Sequence, residues 1–179
     1  MKSPCLIWCL ACFAWVVALP NALGQDDHPE PDARGFFVTV GDPVPDFSLT
    51  AIDGLTYSRD NLLGKPYVLQ FTASWCSVCR AEMPHLESEV WQGGKGILVL
   101  GVDLDEPVEK VERFADQTGI TYPIAPDPRG AVFSSIAAPK SGVTRNVVVD
   151  ASGQIVMLTR LFDAEEFEAM KVLIAGLNP

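Results

Sequence analysis

Histidine is nearly absent from this chain, and cysteine is absent from most of it. There are two histidines, His28 and His85, and five cysteines, of which Cys5, Cys9 and Cys12 fall within the first 24 residues. Beyond residue 24 only Cys76 and Cys79 remain. A framework of several structural disulfides is therefore excluded. A closed zinc site needs four ligands, and the two histidines are the only further candidates to join the cysteine pair, so no metal is expected. Basic residues are scarce too. Thirteen Lys and Arg stand against 23 Asp and Glu, a net charge of −10, which argues against nucleic acid as a partner. There is no internal repeat and no low-complexity stretch. The 179 residues suffice for one domain with a proper core.

The longest apolar run stands at the start. Lys2 is the only charge in residues 1–24, residues 5–19 are almost wholly apolar, and Pro20 ends the run. Ala22 and Gly24 put small residues where a signal peptidase reads. Residues 1–24 are expected to be a secretory signal peptide, cut before Gln25, which makes the protein exported, periplasmic or secreted. The run is short for a span of about 20 residues, but retained as an anchor it would tether the protein to the membrane. A lipid-modified Cys12 fits less well, because Cys9-Leu10-Ala11 make a poor lipoprotein signal. Residues 25–35 are acidic, carry Pro29 and Pro31, and are expected to be a flexible tail in which His28 does nothing. Residues 36–179 are expected to form one domain.

Within it, residues 36–40 read as a short strand, and Asp53-Gly54 as the turn of an N-terminal hairpin. Residues 67–71 read as a buried strand, 75–91 as a helix kinked by Pro84, and 97–104 as a buried parallel strand. Residues 107–117 form an amphipathic helix capped by Gly119. Tyr122-Pro123-Ile124 reads as an extended connector, 129–136 as a short helix, and 144–150 with 154–161 as an antiparallel pair. Asp163 and Glu166 form a capping box that opens the last helix. The expected fold is α/β: a mixed sheet with helices on both faces and an added N-terminal hairpin.

The chemistry gathers where the strand at 67–71 runs into the helix at 75–91. Cys76 and Cys79 are three positions apart at that junction and can close a small disulfide ring. The first sulfur lies over the free N–H groups of the helix start, whose dipole favours a thiolate. Cys76 is thus the expected nucleophile, and Cys79, one turn in, the resolving thiol.

With its flanks, Trp75-Cys76-x-x-Cys79-Arg80-x-Glu82-x-Pro84 resembles the active site of thioredoxin-fold proteins, most closely the TlpA/ResA-like branch. The resemblance covers about residues 41–177. Its opening, with Gly41, Pro45, Phe47 and Leu49, is shared by TlpA-like proteins and peroxiredoxins. The resemblance implies a protein-disulfide oxidoreductase with no cofactor beyond the Cys76–Cys79 disulfide, acting as a monomer. The partners it implies are disulfide-containing exported proteins, such as apo-cytochrome c or copper-assembly proteins, with a membrane thiol reductant to recycle the pair.

It also assigns supporting roles. Thioredoxin keeps a buried Asp at the position of Gln70, which cannot titrate. ResA-like proteins supply a carboxylate from the end of the next strand instead, here Glu106, with Asp103 and Asp105 close by, as a candidate acid/base. Trp75, Val143 and Thr144 would contact substrate. Arg80 would hold the Cys76 thiolate, dock a partner, or pair with Glu82 or Glu87. His85 reads as a core-edge or exposed residue. The family usually carries a cis-proline where this chain has Thr144; a trans peptide is expected there, unless Pro139 is the displaced proline. A threonine there also brings the chain nearer to peroxiredoxins, although Thr72 and Arg145 each lie one place from the positions a peroxidase needs. A thiol peroxidase and a redox-inactive binding domain remain as alternatives.

Overall fold

The computed structural model describes residues 29–93 and 96–177; the expected signal peptide and His28 lie outside them. Its centre is strand β3, Tyr67–Thr72, buried at every position. A run buried on both faces must be covered on both, and it becomes the middle of a five-stranded sheet in the order β5-β4-β3-β6-β7. Strand β4, Leu98–Leu104, runs parallel to β3, and β5, Ile124–Asp127, parallel to β4. Strands β6, Arg145–Val149, and β7, Ile155–Arg160, complete the sheet as an antiparallel pair, with β6 against β3. The hairpin of β1, Ser48–Thr50, and β2, Thr56–Ser58, forms a separate two-stranded sheet, followed by the one-turn helix α1, Arg59–Leu62.

Side-chain alternation along β3 and β6 divides the core. Gln70, Thr72, Thr144 and Asn146 face helix α2, Ser77–His85, as the bonds from Thr72 to Met83 and from Asn146 to Glu82 show. Phe71 and Arg145 point the other way, toward Phe133 of helix α4, Ala131–Ile136, and toward Phe36. Helix α3, Val108–Thr118, joins the first face, with Phe114 under the Arg80 guanidinium. Helix α5, Ala164–Gly176, packs there as well, its Phe167 against His85. Gly119 takes the left-handed conformation, φ 69°, that ends α3.

Four local expectations change. Residues 36–40 form no strand; Phe36 makes one isolated bridge to Ala137. The tail expected through residue 35 is fastened from Asp32 on: its carboxylate accepts from Phe36 N–H at 2.8 Å, and Arg34 pairs with Glu166 at 2.7 Å. The connector through Ile124 enters the sheet as edge strand β5, because Ile124 and Ala125 are wholly buried against β4. Pro84 does more than kink its helix. Beyond His85 the chain widens into a π-helix over Leu86–Trp91, with Gln92 N–H bonding to the Glu87 carbonyl.

Candidate active site

Strand β3 delivers the chain to the N-terminus of α2, and Cys76 takes the N-cap position in extended conformation, φ −86°, ψ 108°. Its Sγ accepts a hydrogen bond from Cys79 N–H at 3.1 Å, the sulfur–helix contact anticipated from spacing alone. The two cysteines are disulfide-bonded. Cys76 keeps 8 % of its surface exposed and Cys79 none.

Beside them stands Trp75, 64 % exposed. It borders a cleft of about 350 Å³ with Leu104, Asp105, Arg129, Phe133 and Pro139. Val143 and Thr144 are both buried, and the Thr144 hydroxyl reaches both sulfurs. All peptide bonds among the described residues are trans, and Pro139 lies in the Trp75 cleft, so Thr144 occupies the position over the disulfide.

The expected exposed Arg80 is instead a clamp. Its Nε donates to the Ser74 carbonyl at 2.9 Å, Nη2 donates to Gln117 at 3.1 Å, and the guanidinium lies over the Phe114 ring. It pairs with neither Glu82 nor Glu87. Glu87 is bound to Gln92 and Thr121, and Glu82 is buried inside. His85 is exposed, as expected, bonded to Glu89 and stacked on Phe162.

Two carboxylates flank the disulfide. Glu106 accepts from Ser74 N–H at 2.6 Å and from the Ser74 hydroxyl at 2.8 Å, and it pairs with Lys110. Burial opposes its charge, but Lys110 and Ser74 hold its pKa below the ordinary range. Glu106 is therefore ionised and fully engaged. Asp103 next to it is wholly buried, and neither of its oxygens has a hydrogen-bond partner among the described residues. Burial, aided by the Glu106 charge, pushes its pKa up to about 8.

Glu82 was missed as a chemical group. It lies one turn beyond Cys79 on the buried side of α2, 1 % exposed. Its Oε1 accepts from Asn146 Nδ2 at 2.7 Å, and its Oε2 has no hydrogen-bond partner among the described residues. Burial raises its pKa to about 7, against the opposing hydrogen bond from Asn146 and the favourable influence of the Gln70 amide. Thr144, just before β6, and Asn146 within it are two residues apart and point to the same side, and they meet Cys79 and Glu82, one turn apart on α2. The carboxyl thus lies one helical turn from the buried sulfur, on the same buried side of α2. The signal was present as the spacing Cys79-x-x-Glu82-Met83, which puts Glu82 on the face that Met83 buries.

The groups a thiol peroxidase would aim at its cysteine are turned away. The Thr72 hydroxyl is bonded to Met83 Sδ at 3.5 Å. The Arg145 guanidinium is on the opposite face of the sheet, bonded to Arg34 O and Ser141 and lying over Phe36.

A thioredoxin-like sheet with a C-x-x-C disulfide at the mouth of its central helix defines a thiol-disulfide oxidoreductase. Comparison with known proteins agrees. The AhpC/TSA family model matches residues 40–158, and the chain belongs to that family. Thiol-disulfide oxidoreductase ResA of Geobacillus thermodenitrificans is 31 % identical over 120 residues, 66 % of this chain and 67 % of that one. A solution structure from Bacteroides thetaiotaomicron, provisionally assigned as a protein disulfide isomerase, is 44 % identical, with a TM-score of 0.77. That match covers 80 % of this chain and 92 % of the other. A thioredoxin-family thiol:disulfide interchange protein from Chlorobium tepidum gives a TM-score of 0.62 at 26 % identity, covering 78 % and 99 % of the two chains.

Proposed function

We propose that this oxidoreductase reduces disulfides in exported partner proteins, with Cys76 as nucleophile, Cys79 as resolving thiol and Glu82 as the group that moves the Cys79 proton. The observation that carries the order of attack is the asymmetry of the pair. Cys76 is the sulfur with surface exposure and the one that accepts a helix N–H at 3.1 Å. That donor and the helix dipole favour its thiolate.

The Cys76 thiolate attacks one sulfur of a partner disulfide, forming a mixed disulfide and releasing the partner's other sulfur as a thiolate, which takes a proton from water. Glu82, with its pKa raised to about 7, then accepts the Cys79 proton. The resulting Cys79 thiolate attacks Cys76 Sγ, breaks the bond to the partner and closes the Cys76–Cys79 disulfide. Two electrons have passed to the partner. A membrane thiol reductant returns them. Trp75 and its cleft receive the partner segment next to its cysteine.

Export rests on the apolar segment of residues 1–24. The family's range makes apo-cytochrome c and copper-assembly proteins the first partners to test. The discriminating experiment is an equilibrium redox titration of Cys76–Cys79. A potential of about −250 mV or lower fits a reductant; one near −120 mV would make the protein an oxidant that installs disulfides, overturning the direction proposed.

A further inference from the structure

The Thr144 hydroxyl has no hydrogen-bond partner among the described residues except sulfur. It lies 3.1 Å from Cys76 Sγ and 3.2 Å from Cys79 Sγ, and the residue is 3 % exposed. Its backbone is fixed on both sides. The Thr144 carbonyl accepts from Leu161 N–H at 3.0 Å, and Arg145, the next residue, opens β6 paired with Phe71 of β3. Being β-branched, the side chain has few rotamers in which to point elsewhere.

We propose that Thr144 is a catalytic residue of the exchange reaction, donating its hydroxyl hydrogen bond to whichever cysteine sulfur carries the negative charge. The inference rests on the dithiol cycle proposed above and adds a group to it. A sulfur in a disulfide is a weak acceptor, whereas a thiolate accepts a charge-assisted hydrogen bond roughly twice as strong as a neutral one. A donor fixed between the two sulfurs therefore stabilises the reduced, ionised pair more than the disulfide.

The two sulfurs depend on it unequally. Cys76 already has the Cys79 N–H as a donor. For Cys79, buried in the first turn of α2, the Thr144 hydroxyl is the one hydrogen-bond donor found among the described residues. In the resting reduced state the bond goes to Cys76. Once Cys76 is held in a mixed disulfide, the charge appears on Cys79 after Glu82 takes its proton, and the hydroxyl turns to that sulfur. No proton leaves Thr144 in either step. A proline here has no hydroxyl to give, so the threonine changes the chemistry of the pair as well as the surface offered to substrate.

The test is a thiolate titration of the reduced protein by ultraviolet absorbance, comparing wild type with Thr144→Val and Thr144→Ser. Valine keeps the shape and removes the donor; serine keeps the donor. We expect the Cys76 pKa to rise by about one unit in Thr144→Val and to stay at the wild-type value in Thr144→Ser. With a trapped partner disulfide, Thr144→Val should also accumulate mixed disulfide, its resolution slowed about tenfold. If Thr144→Val does not fold, Thr144→Ala carries the same two expectations.

A valine or alanine variant that titrates and resolves like wild type overturns the inference, as does a serine variant that behaves like valine. The two readings fail differently. A wild-type Cys76 with the ordinary thiol pKa of about 8.5 removes the nucleophile assignment itself. A depressed wild-type pKa that valine leaves unmoved removes only the role of Thr144.

Discussion

Glu82, one turn beyond Cys79, and Glu106, bonded to Ser74 two residues before Cys76, are the same residue type held in opposite states. Glu106 stands at the end of β4 with two Ser74 donors and the Lys110 ammonium, and it is ionised. Glu82 lies under α2 with one amide donor and one oxygen unbonded, and its pKa is raised to about 7. An acid that exchanges a proton near neutral pH needs a pKa there and a lone pair not already committed. Glu82 has both, and Glu106 has neither. Position in a motif chose the second; environment chooses the first.

The sharpest way to break this contrast is to neutralise each acid in turn and measure resolution of a trapped mixed disulfide. Glu82→Gln should slow resolution by about a hundredfold at pH 7, the contribution expected of one positioned acid/base. It should also remove a pH dependence centred near 7. Glu106→Gln should leave the rate within about threefold. Equal losses in the two variants would end the distinction between the flanks.

Stability separates them next, because the two acids have opposite pH slopes. A folded pKa raised above the unfolded one contributes stability that is complete below the unfolded pKa and is lost as pH rises through the folded pKa. For Glu82 that window runs from about 4.5 to about 7 and amounts to about 3 kcal/mol. Denaturant melts of Glu82→Gln should lose this fall, gaining on wild type as pH rises across the window. Glu106 is depressed, so its contribution is present above its unfolded pKa and is lost as pH falls through the folded one. Glu106→Gln should therefore fall furthest behind wild type at neutral and alkaline pH.

A smaller effect tests whether Glu106 is a fastener of the loop before Cys76. Ser74→Ala removes one of its two donors while the backbone N–H remains. A single hydrogen bond of that kind corresponds to a Tm lower by about 3 °C. The thiolate titration of Cys76 should not move. A shifted Cys76 pKa would mean that this flank does tune the nucleophile.

Much of the fold was legible because its signals are local. The apolar runs of β3 and β4, the amphipathic face of α3 with Gly119 behind it, and the cysteine pair at the start of α2 all declare themselves within a dozen residues. What was misread depends on distant partners. Residues Ile124–Asp127 carry two buried apolar side chains and a proline, too little to mark a strand until β4 supplies the other side of the ladder. Arg80 read as an exposed cation because Phe114 and Gln117, which receive it, lie more than thirty positions away. Glu82 read as a surface partner for Arg80, and only the packing of α2 on Asn146 makes it an interior acid. Thr144 was noticed for the proline it lacks; its reach to both sulfurs depends on a contact between residues more than sixty positions apart.

Asp103 is the last test of the contrast, and the one with the smallest expected effect on chemistry. It shares the Glu106 flank, yet its pKa is raised to about 8 like that of an interior acid, first by burial and then by the Glu106 charge beside it. If a raised pKa alone made a proton-transfer group, Asp103 would qualify as well as Glu82. Geometry says otherwise. Asp103 lies on β4, opposite Thr72 in the ladder, whereas Glu82 shares a helix face with Cys79 itself. Asp103→Asn keeps a neutral group of similar shape beside Glu106. Mixed-disulfide resolution should stay within about twofold of wild type. Stability should change with the same sign as in Glu82→Gln: the wild-type fall between pH about 4 and 8 should shrink. A resolution rate that collapsed with Asp103→Asn and survived Glu82→Gln would reverse the assignment of the two flanks.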